Sequence, residues 1–537
     1  MEIINKISKT LLVSVALMVL YIICFGMGNR ISTILALGWS IAVGTIFSCF
    51  PKTLSISEQT QDKILKIMNV VVVVACTCMS LLLCITQSIT YDEAYTIGMI
   101  NRSYVDIVEI TANDVHSPLY YFVLKFFCGE LDNLQIYAAK LFSVIFFVGH
   151  LTVGGLFCRK IYNRKVEFYW LVLNGFMPAM VIQAASVRMY SMGLFFFTLT
   201  AFLAYRIYQE ETKKRWIEFT LASILTMYIH TFTMIEVFVL YLLMFALLVN
   251  KKRYWSLRSF FASGVIAGVA YVPWLGVLWH QMRRWSGVEE GWSNTIEELT
   301  FYNGDKFLAE WFSSLENPQS LAILFGVALL IYVLYYVRRY TNDTKDFVPY
   351  VGMIIAGVVV AAAVIVSISI VPCFLGRYIF PVFGLIWLYV AVGVVEVKEY
   401  WKKGVIVVCI LLCGASAFRT EWRLDRDEGI SEYIAFMEEN FDEDDVIMAD
   451  IFTDAMMTIY SPEGRYMIYG YKPPCLPFDN LEVFQQWDQL DGVDTIWYIE
   501  RREGMVHQLD EKYQSEIALR FSFSHYNFIV QKATRKE

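Results

Sequence analysis

The sequence predicts a mainly α, polytopic membrane protein carrying a small α/β domain at its C-terminal end. Three observations predict it. First, 57% of the 537 residues are hydrophobic and only 18% are charged, with a mean hydropathy of +0.49; soluble domains hold about half apolar and a quarter charged residues. Second, apolar runs long enough to cross ~30 Å of hydrocarbon recur along most of the chain. Third, charge is split unevenly. Residues 420–537 hold 11 Lys and Arg against 25 Asp and Glu, a net of −14, while the whole chain is −7. Residues 1–419 therefore carry +7, and a domain boundary is expected near residue 420.

The first apolar run, "LLVSVALMVLYIICFGMG", follows Lys6 and Lys9. No small-residue cleavage site follows it and a second apolar run begins within a few residues, so it reads as a retained span. About thirteen spans are expected, near 10–27, 32–50, 68–88, 136–157, 167–184, 190–208, 216–230, 232–249, 259–280, 319–337, 348–371, 378–396 and 404–419. Residues 1–66 form an N-terminal hairpin with its cytoplasmic loop, and 67–419 the main transmembrane domain. The cysteines lie mostly within apolar runs (Cys76, Cys78, Cys84, Cys409, Cys413) and read as small buried hydrophobes.

The loops between spans alternate in charge. One set is basic: Arg159, Lys160, Arg164 and Lys165; Arg206, Lys213, Lys214 and Arg215; Lys251, Lys252, Arg253 and Arg258; Arg338, Arg339 and Lys345; Lys398, Lys402 and Lys403. Positive loops stay in the cytoplasm. The other set then faces outward: the 89–134 segment, the turns at Arg188 and His230, the 281–318 loop, the "VPCFLGRY" turn and the C-terminal domain. The 89–134 loop exceeds a plain connector. Within it "SYVDIVEITA" reads as a short amphipathic helix, and "SPLYYFVLKFF" as an interfacial helix with Pro118 in its first turn.

In the C-terminal segment "GISEYIAFMEENF" has helical periodicity, "DDVIMADI" and "DTIWYIE" read as short buried strands, and "FSFSHYNFIVQ" as a strand pair or an edge. Residues 420–537 are therefore expected to form an acidic, extracytoplasmic α/β domain.

The candidate chemistry lies on the outward side. Asp92 and Glu93 stand within two residues of the membrane edge, framed by Tyr91 and Tyr95. A partly desolvated carboxylate there could serve as a base near neutral pH; the plainer reading is a pair of solvated loop carboxylates. Asp114 and His116 follow in "NDVHSPLYY". Outward turns should be poor in arginine, yet Arg188 sits in "SVRMYS" and Arg377 in "LGRYIFP", each followed by a tyrosine, Tyr190 or Tyr378. Guanidinium groups suit a lipid phosphate. His230, His280, Arg283 and Arg284 lie at the same level, where an anchoring role is as good a reading as a functional one.

These residues also carry a resemblance. "YDEAYT", then "DVHSPLYYFVLK", "RMYS" and "RYIFP", resemble the bacterial membrane glycosyltransferases related to protein O-mannosyltransferases and to the aminoarabinose transferase of lipid A, the GT-C-fold enzymes (glycosyltransferase family 39-like). The resemblance covers roughly residues 68–400. It implies transfer of a sugar from a polyprenyl-phosphate donor to a glycan, glycolipid or protein hydroxyl at the outer face of the plasma membrane, with inversion. It implies Asp92 as the base with Glu93 in support, and His116 at the family histidine. Arg188 with Tyr190 and Arg377 with Tyr378 would hold the donor phosphate, and Asp114, His116 and His230 would support the acceptor. A divalent cation on Asp92, Glu93 and His116 is an open expectation. His-Ser-Pro stands here where many relatives have His-Pro-Pro, and the N-terminal hairpin of two spans stands ahead of the span that enters the catalytic loop, where the better-known relatives have one span before that loop.

Membrane lipids are expected partners and nucleic acid is not. Two other readings remain: a transporter or flippase, which calls for charged groups near the bilayer midplane, and a non-catalytic component of envelope polysaccharide assembly.

Overall fold

The computed structural model describes residues 2–25, 30–49, 57–129, 131, 134–285, 309–312, 348–369, 375–424, 428–449, 453–469, 476–478, 481–501, 512–523 and 526–536. The expected span at 319–337 and residues 286–308 and 313–318 of the 281–318 loop lie outside the described residues. Two compact units divide the chain. One holds residues 1–81, 143–185 and 189–420; the other holds 82–142, 186–188 and 421–537.

The first unit is helical. Its helices include α1 (Glu2–Phe25), α2 (Arg30–Cys49), α3 (Glu58–Cys84), α7 (Gln135–Ile161), α8 (Arg164–Phe176), α9 (Pro178–Ala184) and α10 (Tyr190–Gln209). Then come α11 (Lys213–Met227), α12 (Thr231–Asn250), α13 (Tyr254–Trp285), α14 (Val348–Ser369), α15 (Phe383–Glu396) and α16 (Tyr400–Leu424). Eight helices among the described residues are long and apolar enough to cross a membrane, which makes this an integral membrane protein. The expected single span at 167–184 is instead broken into α8 and α9. Met177 is extended (ψ 138°) and Pro178 opens α9, because a prolyl ring cannot follow a helical residue without a clash.

Without a hydrophobic force between helices in lipid, close approach and polar contacts hold such a bundle. A Cβ on Gly154 would lie 2.2 Å from the Trp170 ring, so only glycine lets α7 and α8 meet there. Trp170 Nε1 donates to the Gly384 carbonyl (2.7 Å), tying α8 to α15. Between α11 and α13, Thr220 and Ser263 hydroxyls lie 2.6 Å apart.

The second unit contains α4 (Tyr91–Ile100), α5 (Tyr104–Asn113), α6 (Leu119–Cys128) and the C-terminal α/β domain. The expected helices at 103–112 and 117–127 are present as α5 and α6. Ser103 and Asp106 form a reciprocal cap on α5, and Pro118 opens α6. Asp92 and Glu93, read as loop residues from sequence, stand instead in the first turn of α4.

The domain has α17 (Glu428–Asn440), β1 (Val446–Ala449), α18 (Asp454–Tyr460), β2 (Arg465–Tyr469), β3 (Leu481–Phe484), β4 (Thr495–Glu500), β5 (Tyr513–Phe523) and β6 (Tyr526–Arg535). The sheet order is β3-β2-β1-β4-β6-β5, with β1 to β4 mutually parallel and β6 antiparallel to both β4 and β5. Val446 and Met448 of β1 pack with Met467, Ile496, Tyr498 and Ala533 in one apolar layer. Ile430, Tyr433 and Met437 bury one stripe of α17, and Tyr433 stacks on Phe521 at 4.8 Å.

Candidate active site

The head of α4 is fixed by Glu93. Thr90, in extended backbone (φ −83°, ψ 169°), precedes the helix. Its N–H and hydroxyl both donate to Glu93 Oε2 (2.7 and 3.0 Å), and the Glu93 N–H donates to the Thr90 carbonyl (3.1 Å). Oε1 accepts from the Val187 N–H at 2.7 Å. Glu93 is buried, so its carboxylate serves as a staple between the first turn of α4 and the 186–188 segment. That staple sets the position of Arg188.

Arg188 is 5% exposed. Its Nη1 donates to the Asp92 carbonyl (3.0 Å) and to Thr96 Oγ1 (3.2 Å), and its Nη2 lies 3.0 Å from His116 Nε2. A guanidinium only donates. His116 Nε2 therefore accepts, and the ring is neutral with its proton on Nδ1. Asp114 Oδ2 lies 3.8 Å from His116 Nε2 and accepts from the Tyr95 hydroxyl at 3.0 Å. Burial raises the Asp114 carboxyl to about 6, against the opposing Tyr95 and Val115 hydrogen bonds and the Arg188 charge; Asp92 adds to the rise. Tyr121 closes the group, with its ring edge-on to Tyr95 (6.5 Å) and 6.4 Å from the His116 ring.

Asp92 sits at the mouth of this group. It is only half-buried, whereas all of residues 93–100 behind it are buried. Its position at the helix N-terminus is electrostatically favourable to a carboxylate.

Sequence reading missed two cations that hold the frame. Lys140 Nζ donates to Thr86 Oγ1 (2.9 Å) and the Ser88 carbonyl (2.8 Å), pinning the strand of chain that enters α4. Lys125 Nζ donates to the Ile100 carbonyl (2.9 Å), closing the other end of α4. The available signal was Lys140 itself, the one Lys or Arg in the apolar run 136–157.

Within the first unit a second group forms around His230. Its Nδ1 accepts from the Phe232 N–H (3.1 Å), capping α12. The Tyr378 ring lies 5.2 Å from His230 and stacks on Phe232 at 4.7 Å, while Tyr190 lies 6.3 Å from His230. Arg377 precedes Tyr378 in a seven-residue 3₁₀ segment, Gly376–Val382, held where Trp311 Nε1 donates to the Gly376 carbonyl (3.1 Å). The structure thus gathers Asp92, Glu93, Asp114, His116 and Arg188 in one unit, and Tyr190, His230 and Tyr378 beside Arg377 in the other. His280, Arg283 and Arg284 are exposed on the last turns of α13, with Arg283 over the Trp279 ring at 5.0 Å.

The residues expected to hold a cation do not suit one. Both Glu93 oxygens already accept backbone N–H groups, and His116 Nε2 accepts from Arg188. Among the described residues no three His, Cys, Asp or Glu side chains converge at ligand spacing.

No protein-family model matches the chain, and no curated protein matches it by sequence. Its fold does have solved counterparts. It is similar to ArnT from Cupriavidus metallidurans in the apo state, with a TM-score of 0.55 and 11% identity over 86% of this chain and 97% of that one. It is similar also to ArnT from the same organism bound to undecaprenyl phosphate, with a TM-score of 0.57 and 10% identity over the same shares. At such identity the likeness is one of fold. The expected GT-C architecture, a polytopic helical domain with a small C-terminal sheet domain, is present across most of the chain.

Proposed function

We propose that this protein is a membrane glycosyltransferase that moves a monosaccharide from a polyprenyl-phosphate carrier to an acceptor hydroxyl at the outer face of the membrane. One observation carries the reading: Asp92 is the half-buried carboxylate at the head of a helix whose residues 93–100 are all buried, fixed through its own carbonyl by the buried guanidinium of Arg188. A membrane fold shared with a protein solved with undecaprenyl phosphate supports a polyprenyl phosphate as the carrier.

In this reading the acceptor hydroxyl attacks the anomeric carbon while Asp92 takes its proton. The bond from that carbon to the phosphate oxygen breaks with inversion, and the electron pair leaves on the polyprenyl phosphate. Positive charge placed where negative charge develops is the largest usual source of rate. Arg377 is assigned to that phosphate on its chemistry, with the Tyr378 hydroxyl as a further donor. Arg188 orients Asp92 and His116, and Asp114 with Tyr95 and Tyr121 shapes the acceptor side. Glu93 supports the site by holding α4 rather than by touching substrate. The acceptor class is a cell-envelope glycan, a glycolipid or a protein hydroxyl.

The test has two parts. Purified protein should bind undecaprenyl phosphate by native mass spectrometry, and Asp92→Asn should bind it equally. Cells lacking the gene should regain the missing envelope glycan when given the wild-type gene and not when given Asp92→Asn. Restoration by Asp92→Asn would remove the base from the proposal.

A further inference from the structure

Within the first unit, helices α1 and α16 run side by side in the same direction. At one end the Lys9 ammonium lies 4.5 Å from the centroid of the Trp401 ring. At the other the Arg419 guanidinium lies 5.7 Å from the centroid of the Phe25 ring. The contact joins the first expected span to the last. Between those ends Cys24 and Cys413 face one another, both buried, with their sulfurs 3.9 Å apart.

Two further contacts hold that spacing. Carbonyls in the last turn of a helix have no partner within it, and that of Cys24 accepts from the Ser416 hydroxyl at 2.5 Å. Gly414 lets α16 approach α8 so closely that a Cβ there would stand 2.7 Å from the Phe176 carbonyl oxygen. Cys413 is thus fixed by its neighbours in sequence on both sides. A role as small hydrophobes explains why the two cysteines are buried; it does not explain thiol facing thiol across two helices. Cys128, by contrast, spends its thiol within its own helix, on the Leu124 carbonyl at 3.2 Å.

We infer that Cys24 and Cys413 are an oxidisable dithiol, whose disulfide ties the N-terminal hairpin to the last span. From 3.9 Å the sulfurs need to close by only about 2 Å to reach the ~2.05 Å of a disulfide. With the basic loops in the cytoplasm, the pair lies toward the outer ends of both helices, the side on which disulfides persist. The oxidant is a peroxide, small and uncharged enough to reach a buried thiol. One sulfur takes an oxygen from hydrogen peroxide and becomes a sulfenic acid as a water leaves. The second thiol attacks that sulfur; the Sγ–Sγ bond forms, and the hydroxyl departs with the second thiol's proton as another water. Two sulfurs are oxidised and one peroxide is reduced.

The experiment uses the full chain in detergent micelles, one portion treated with hydrogen peroxide and another with dithiothreitol. Remaining thiols are alkylated under denaturing conditions, and peptides are mapped by mass spectrometry. Peroxide should link the Cys24 and Cys413 peptides in most chains, and dithiothreitol should leave both alkylated. Cys409→Ser, one turn from Cys413 on the same helix, should keep the link; Cys24→Ser and Cys413→Ser should each lose it. The peroxide-treated wild type should unfold a few degrees above the reduced chain, a gap absent from Cys24→Ser. Alkylation of both thiols after peroxide would overturn the inference, as would a link from Cys413 to Cys409 in place of Cys24. The wild-type map decides this without any variant having to fold.

Discussion

Arg188 and His116 are joined through a single hydrogen bond, Nη2 to Nε2 at 3.0 Å, while the other arm of the same guanidinium holds the Asp92 carbonyl at 3.0 Å. The fork therefore fixes the backbone of the proposed base and the tautomer of the histidine in one rigid group. A lysine, a point charge on a flexible stem, cannot span both partners.

Arg188→Lys should accordingly lower transfer about 100-fold, an energy of about 2.7 kcal/mol at ~1.36 kcal/mol per factor of ten. The check is the amount of envelope glycan restored at matched protein level. Wild-type transfer with lysine would show that the two-armed geometry is unimportant.

Glu93→Ala should destabilise the second unit by roughly 2–4 kcal/mol, because it leaves the Thr90 and Val187 N–H groups buried without acceptors. Thermal unfolding in detergent measures it. Glu93→Gln should fall between the two, since one amide oxygen replaces two carboxylate oxygens.

Asp114 sets a pH dependence whose sign follows from its environment. Its folded value is raised to about 6 from ~3.9 in an unfolded chain. Between those values the folded protein holds a proton that the unfolded chain has lost, so stability falls as pH rises from about 4 to about 6. The slope is ~1.4 kcal/mol per unit at most. Asp114→Asn should flatten this part of the profile; an unchanged slope would mean that another group carries it.

Gly98→Ala should destabilise the second unit, since its Cβ would meet the Phe478 ring at 2.7–2.8 Å and Pro477 at 2.9 Å. A loss of about 1–3 kcal/mol is expected for such overpacking. Phe478→Leu in the same chain should recover part of it. Additive losses in the double variant would show that the two residues do not press on one another.

Arg377→Ala should weaken undecaprenyl phosphate binding at least tenfold and leave the thermal unfolding of the chain unchanged. Equal binding would remove Arg377 from the phosphate.

Much of the fold was legible because local chemistry announces it. The Ser103–Asp106 cap marks α5, Pro118 marks α6, and short apolar runs mark β1 and β4. Helix α4 was not legible. Residues 93–100 are buried on all sides, so no polar face gives the 3.6-residue period, and the acidic pair at its head looks like loop. The break in the span at 167–184 has its signal in Pro178, which keeps Met177 out of the helical conformation.

In the site, Asp92, His116 and Arg188 stood out because charged groups are rare in this chain. Their roles did not. That Glu93 is a staple depends on Val187, 94 positions away, and that the sheet domain grips α4 depends on Tyr460 reaching Gln87, 373 positions away. Such pairings leave no periodic trace in one sequence.

The central claim is that Asp92 is the base for sugar transfer from a polyprenyl phosphate. Asp92→Asn changes one oxygen to nitrogen and leaves intact the backbone carbonyl that Arg188 grips. The Asp92→Asn chain should unfold at the wild-type temperature and bind undecaprenyl phosphate as well as wild type, yet restore no envelope glycan in cells lacking the gene. Glycan restored to the wild-type level by Asp92→Asn would contradict it.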